Sequence, residues 1–134
     1  MSMIIRIDKA SKEALYIQIC QQIIAAIARS ELAPGEALPS VRTLASDLGI
    51  NLHTVNKAYA VLRDEGYLMM RGRFGAVVAD PYEDASLIKS QTADLLMQQT
   101  LQKLALAHRA RGGTTQEFLT AAKSAIEQAY REEL

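Results

Sequence analysis

Apolar side chains recur along most of this chain with the period of a helix. From about Lys12, residues Leu15, Ile19, Ile23 and Ile27 fall at four-residue intervals with Tyr16, Cys20 and Ile24 beside them, giving a face broad enough to be largely buried. This predicts a first helix ending near Ser30; Pro34 and Gly35 forbid its continuation, and Leu32 is expected to tuck under the turn. A second stripe, Val41, Leu44, Ala45 and Leu48, follows i, i+3, i+4, i+7 and stops at Gly49. A third, Val55, Ala58, Tyr59 and Leu62, runs to about Glu65, where Gly66 ends it. Ser40 stands at or next to the start of the second helix and Asn51 at the start of the third, where a side-chain oxygen can accept from an amide two or three residues on. Beyond Gly66 the pattern changes to two short β-prone runs, Tyr67 to Arg71 and Ala76 to Ala79, around Gly72-Arg73-Phe74-Gly75, which predicts a β-hairpin. Ile4, Ile5 and Ile7 suggest only a short extended or irregular lead-in.

Pro81 marks a boundary, because the pattern turns there from hairpin to long helix. Between Ser86 and about Arg111 the apolar positions are dense (Leu87, Ile88, Leu95, Leu96, Met97, Leu101, Leu104, Ala105, Leu106), and a helix this apolar needs a cover. Gly112-Gly113 breaks it. Thr114 and Glu117 have the spacing of a capping box, opening a last helix with Phe118, Leu119, Ala122, Ile126, Ala129 and Tyr130 on one side. The fold expected is therefore mainly α with a small β-hairpin: a winged helix-turn-helix domain over residues 1–80 and a two-helix domain over residues 81–134. A helical hairpin of roughly 50 residues has little core of its own. A second copy is the favoured cover, since two hairpins pair into a four-helix arrangement, and packing within the chain is the alternative. The expected interface comprises Leu87, Ile88, Leu95, Leu96, Leu101, Leu104, Phe118, Ala122, Ile126 and Tyr130.

The second and third helices, joined at Gly49, have the layout of a helix-turn-helix. Burying one stripe against the other leaves Asn51, Leu52, His53, Asn56 and Lys57 on the opposite face, available to a groove of DNA. At 134 residues and 49% apolar, the chain has the composition of a folded protein. No apolar run approaches a membrane-spanning length and the start lacks a signal-peptide layout, so a cytoplasmic location is expected. Cys20, alone and in an apolar stripe, reads as a small core residue.

The net charge of zero would argue against a nucleic-acid binder if it were evenly spread. Residues 38–75 carry Arg42, Lys57, Arg63, Arg71 and Arg73 against Asp47, Asp64 and Glu65; residues 80–134 carry six basic groups against eight acidic ones. The excess is two of each sign, basic in the presumed DNA-reading half. So weak a field implies modest affinity per subunit, and dimerisation would double the phosphate contacts. Catalysis has little support: Ser40 and Asp47 share one small helix, and no oxyanion loop accompanies them and His53. No second ligand stands at metal spacing from His53. Arg63 is expected to pair on the surface with its acidic neighbours, and Tyr59 to be core.

Ala14-Leu15-Tyr16-Ile17-Gln18-Ile19, Leu32-Ala33-Pro34-Gly35, Leu38-Pro39-Ser40-Val41-Arg42-Thr43-Leu44-Ala45, Thr54-Val55, Ala58-Tyr59, Leu62 and Glu65-Gly66-Tyr67 together resemble the N-terminal module of GntR-type bacterial transcription regulators over about residues 10–79. The short tail is similar to that of the YtrA-type subfamily. The resemblance implies homodimerisation through the tail and repression of a nearby operon, often one encoding an ABC transporter. It implies DNA contacts from Ser40 and Arg42 at the start of the second helix, from Asn51, His53, Thr54, Asn56 and Lys57 on the third, and from Arg71, Arg73 and Gly75 in the wing. Leu52 stands where many members carry a base-reading Arg; a leucine there can contact a thymine methyl. Arg73 replaces the first Gly of the usual wing tip, and Ser30 stands where a Gly usually closes the first helix. Residues 80–134 cannot hold the long effector or pyridoxal-phosphate halves of other branches, so no cofactor is expected. An effector is left only the dimer interface or a crevice between tail and winged helix. Two other classes compete: a winged helix that binds protein, suggested by Leu52, and a small-ligand sensor whose tail pocket is the main site.

Overall fold

The computed structural model describes residues 4–80 and 91–131, which belong to two compact units, residues 1–88 and 89–134. The expected boundary at Pro81 and the interface positions Leu87 and Ile88 lie outside the described residues. In the first unit α1 spans Leu15–Ala28, α2 Val41–Leu48 and α3 Leu52–Asp64, followed by β1 (Leu68–Met70) and β2 (Ala76–Val78).

The three helices bury the stripes that the spacing marks out. Ile19, Ile23, Val55, Leu62 and Val78 are the largest fully enclosed side chains, joined in one core by Cys20, Leu44, Ala58, Tyr59 and Leu68. Each such aliphatic is worth about 1.5–3 kcal/mol relative to exposure. Leu32 is buried beneath the α1 terminus, as its position suggested.

The helix ends share one closure. The amides of Glu31, Ile50 and Tyr67 donate to the carbonyls of Ala26, Ala45 and Leu62, five residues back. Such a closure takes a left-handed residue just before the donor, and these are Gly49 and Gly66 at two sites but Ser30, with φ of 59°, at the first. Ser30 thus adopts a conformation that favours glycine. The side chain at this φ costs on the order of 1–2 kcal/mol.

Two features go beyond what spacing predicts. The lead-in is tied to α1 by glutamines one turn apart: the amides of Arg6 and Asp8 donate to Gln22 Oε1 and Gln18 Oε1, both at 2.8 Å, and Gln18 Nε2 donates back to the Asp8 carbonyl at 3.0 Å. These side chains act as a surrogate strand and seat Ile5 in the core. Second, β2 has two neighbours. It pairs antiparallel with β1, Leu68 opposite Val78 and Met70 opposite Ala76. On its other edge it bridges Ala37, with Leu38 N donating to Ala76 O and Val78 N to Glu36 O, each at 2.9 Å. The stretch before α2 therefore fixes the root of the wing.

In the second unit α4 spans Gln91–Ala110 and α5 Thr115–Ala129. The capping box forms as expected, Glu117 N donating to Thr114 Oγ1 and Thr114 N to Glu117 Oε1, both at 3.1 Å. Thr114 Oγ1 also donates to Glu117 Oε1 at 2.9 Å, and this bond, with that from Thr114 N, holds the Glu117 carboxyl below its usual pKa. Gly113 lets the helices meet: a Cβ there would run into the His108 imidazole, which also stacks obliquely on Phe118 at 5.7 Å. Neither helix buries a residue fully. Phe118 and Ala122 are half-buried, while Leu95, Leu96, Leu101, Leu104, Ile126 and Tyr130 are each more than half exposed.

Candidate nucleic-acid interface

The α3 helix is two-sided because its sequence is. Val55, Ala58, Tyr59 and Leu62 face the core, and Asn51, Leu52, His53, Asn56 and Lys57 are exposed, with Thr54 half-buried between the faces. Asn51 caps the helix, its Oδ1 accepting from His53 N at 2.7 Å. That bond leaves the Asn51 Nδ2 donors uncommitted among the described residues. Leu52, 40% exposed, gives the start of the helix an apolar spot.

The entry to α2 is held from both sides. Ser40 Oγ accepts from Thr43 N at 3.1 Å and donates to Thr43 Oγ1 at 2.9 Å, so the cap commits its hydroxyl proton within the helix. Arg42 follows, exposed. Tyr59 is core, as its spacing indicated, and its hydroxyl donates to Pro39 O at 2.7 Å, fastening α3 to the start of α2. Burial pushes the Tyr59 phenol up to about 12. Its hydroxyl proton is committed to that carbonyl. Arg63 makes the expected surface pair, with Asp64 at 3.3 Å.

At the wing, Gly72–Phe74 forms one turn of 3-10 helix, with positive φ at Gly72 (50°) and Gly75 (69°). Arg71 N donates to Gly75 O at 2.9 Å, closing the tip. Arg73 between the glycines leaves this geometry intact, because neither positive-φ position falls on it. Arg71 and Arg73 are exposed and Gly75 half-buried.

The structure brings Asn51, His53, Thr54 and Lys57 together along one groove. It places Arg71 in a different groove, with Pro34, Gly35, Val78 and Asp80. The first groove has a wall that helical spacing does not assign to a surface: Ala14, Leu15 and Tyr16 of the α1 start. Lys9 also reaches the helix junction, its Nζ donating to Gly49 O at 3.3 Å. Periodicity within one helix carries no signal for such neighbours.

A caps-and-glycine turn between two helices, an exposed polar start to the second and a β-hairpin after it make a winged helix-turn-helix. Residues 15–78 match the family model of bacterial regulatory proteins, gntR family. The uncharacterized HTH-type transcriptional regulator YhcF of Bacillus subtilis is 30% identical over 117 residues, 87% of this chain and 93% of that protein. The chain belongs to the GntR family. The HTH-type transcriptional repressor YtrA of Bacillus subtilis is 43% identical over 70 residues, 52% of this chain and 54% of its own, which supports a YtrA-like placement within the family. The fold recurs in a solved structure titled a transcriptional antiterminator from Listeria monocytogenes, with a TM-score of 0.83, 24% identity and coverage of 94% of this chain and 92% of that one. As a GntR-family member the chain is a DNA-binding transcription regulator. Among its described residues no helix is long and apolar enough to cross a membrane.

Proposed function

We propose that this regulator acts as a homodimer that represses its own operon from a palindromic operator, the two α3 helices entering successive major grooves on one side of the duplex. The observation that carries the two-fold reading is the apolar surface of the tail, where Leu95, Leu96, Leu101, Leu104, Ile126 and Tyr130 stand 51–57% exposed in a single chain. Met97, Leu101 and Leu104 follow i, i+4, i+7 on the side of α4 that carries Ala105 and His108, whereas Leu95 and Leu106 lie on the far side. One neighbouring helix cannot cover both sectors; a four-helix arrangement can.

Asn51, Leu52, His53, Thr54, Asn56 and Lys57 contact the major groove, Ser40 and Arg42 its edge, and Arg71, Arg73 and Gly75 the flanking backbone or minor groove. Half-sites lie about one helical turn, ~10 bp, apart. Repression is favoured by the name of the relative YtrA, and an ABC-transporter operon by the tail's resemblance to that subfamily. An effector acts by changing the spacing of the two recognition helices at the tail interface.

Titration against the chain's own promoter tests the DNA face. Each phosphate that is no longer neutralised makes the slope of log K against log salt shallower by about 0.9. Arg42→Ala and Lys57→Ala are expected to weaken binding and flatten that slope; unchanged affinity and slope in both would place the DNA face elsewhere.

A further inference from the structure

Lys57 is exposed on the groove side of α3, and its Nζ lies 4.1 Å from the centroid of the Tyr16 ring in the first turn of α1. Tyr16 is half-buried, and the two residues line the same groove as Asn51, His53 and Thr54. A lysine on a helix surface normally spreads its ammonium over many rotamers, and gripping a phosphate freezes them at an entropic cost. A ring face attracts the ammonium electrostatically while leaving the N–H donors on its far side open, whereas a carboxylate would compete with a phosphate for them. Among the described residues no carboxylate pairs with Lys57; Asp64, further along α3, pairs with Arg63.

We infer that Tyr16, outside the recognition helix, is a positioning residue for DNA binding: its ring holds the Lys57 ammonium on the groove side of α3, in place for a backbone phosphate. The inference rests on the reading that α3 enters DNA, and it adds α1 to the apparatus that determines affinity. The ring acts, not the hydroxyl.

The test uses the full chain and the labelled duplex that the wild type enriches from a random-sequence pool, titrated at several salt concentrations. Tyr16→Phe keeps the ring and is expected to bind as the wild type does. Tyr16→Leu is expected to bind about two- to fivefold more weakly, and in a Lys57→Met background the same change is expected to cost nothing. An equal loss in both backgrounds, or a loss in Tyr16→Phe matching that in Tyr16→Leu, would overturn the proposal, since the tyrosine would then act through the fold or through its own hydroxyl. A wild type that binds normally while Tyr16→Leu matches it fails the proposal alone; a wild type that enriches no duplex fails the DNA-binding reading and takes the proposal with it. Thermal melting checks each variant, and Tyr16→Met replaces Tyr16→Leu if the latter melts early. Independently of DNA, the Lys57 methylene protons are expected upfield through the ring current and restored in Tyr16→Leu; unshifted protons in the wild type would show that the pair does not form.

Discussion

The two units of this chain are built from equally periodic helices but differ in where their apolar side chains go. In the winged helix every stripe finds a partner within the chain, and Ile19, Ile23, Val55 and Leu62 are fully enclosed. In the tail, a glycine turn and a capping box make a well-formed hairpin, yet neither helix encloses a single residue. Local signals therefore suffice to shape a hairpin, while its stability needs apolar area that two helices cannot supply to each other. The first unit encloses a core of its own; the second encloses none.

Truncations at matched apolar positions should separate the units most clearly. Leu62→Ala, in the closed core, is expected to destabilise the winged helix by about 3 kcal/mol, as cavity-forming Leu truncations do, measured by denaturant unfolding. Leu104→Ala should leave that transition unchanged and weaken self-association instead. A large drop in winged-helix stability from Leu104→Ala would erase the contrast. A smaller effect sharpens it. Ser30→Gly removes a side chain from a left-handed position, and the relief of φ strain should outweigh the entropy of the added glycine, raising winged-helix stability by about 0.5–1 kcal/mol. The tail should not respond, and a destabilised winged helix would show that the Ser30 side chain makes a compensating contact.

What could be read from the sequence follows the range of each signal. Ser40, Gly49, Asn51 and the Thr114–Glu117 box act on amides within a few residues, so spacing alone located all of them. The buried faces of α1, α2 and α3 were equally legible, because a stripe names its own inward side. Contacts between distant segments were not. The bridge from Ala37 to Val77 is a single rung beside Pro34 and Pro39, too short for any strand pattern. Helical spacing does not mark Gln18 and Gln22, because their pairing with the lead-in depends on backbone groups rather than residue types. Tyr16 fitted the α1 stripe, and only the approach of α3 shows that its ring also faces Lys57. Ser30 was visible as a departure from the family pattern; that it keeps the glycine conformation is a structural finding.

The difference between the units bears directly on function. A winged helix with two net basic charges over residues 38–75 has a weak field for gripping DNA, and the proposed pairing through the tail would double it while adding a two-fold axis. The proposed function thus depends on self-association, which sedimentation equilibrium of the wild type beside a Leu101→Asp, Leu104→Asp double variant would reveal. The wild type is expected to be a dimer at micromolar concentration and the variant a monomer whose winged helix still melts as in the wild type. A monomeric wild type, or a double variant that remains dimeric, would contradict that expectation.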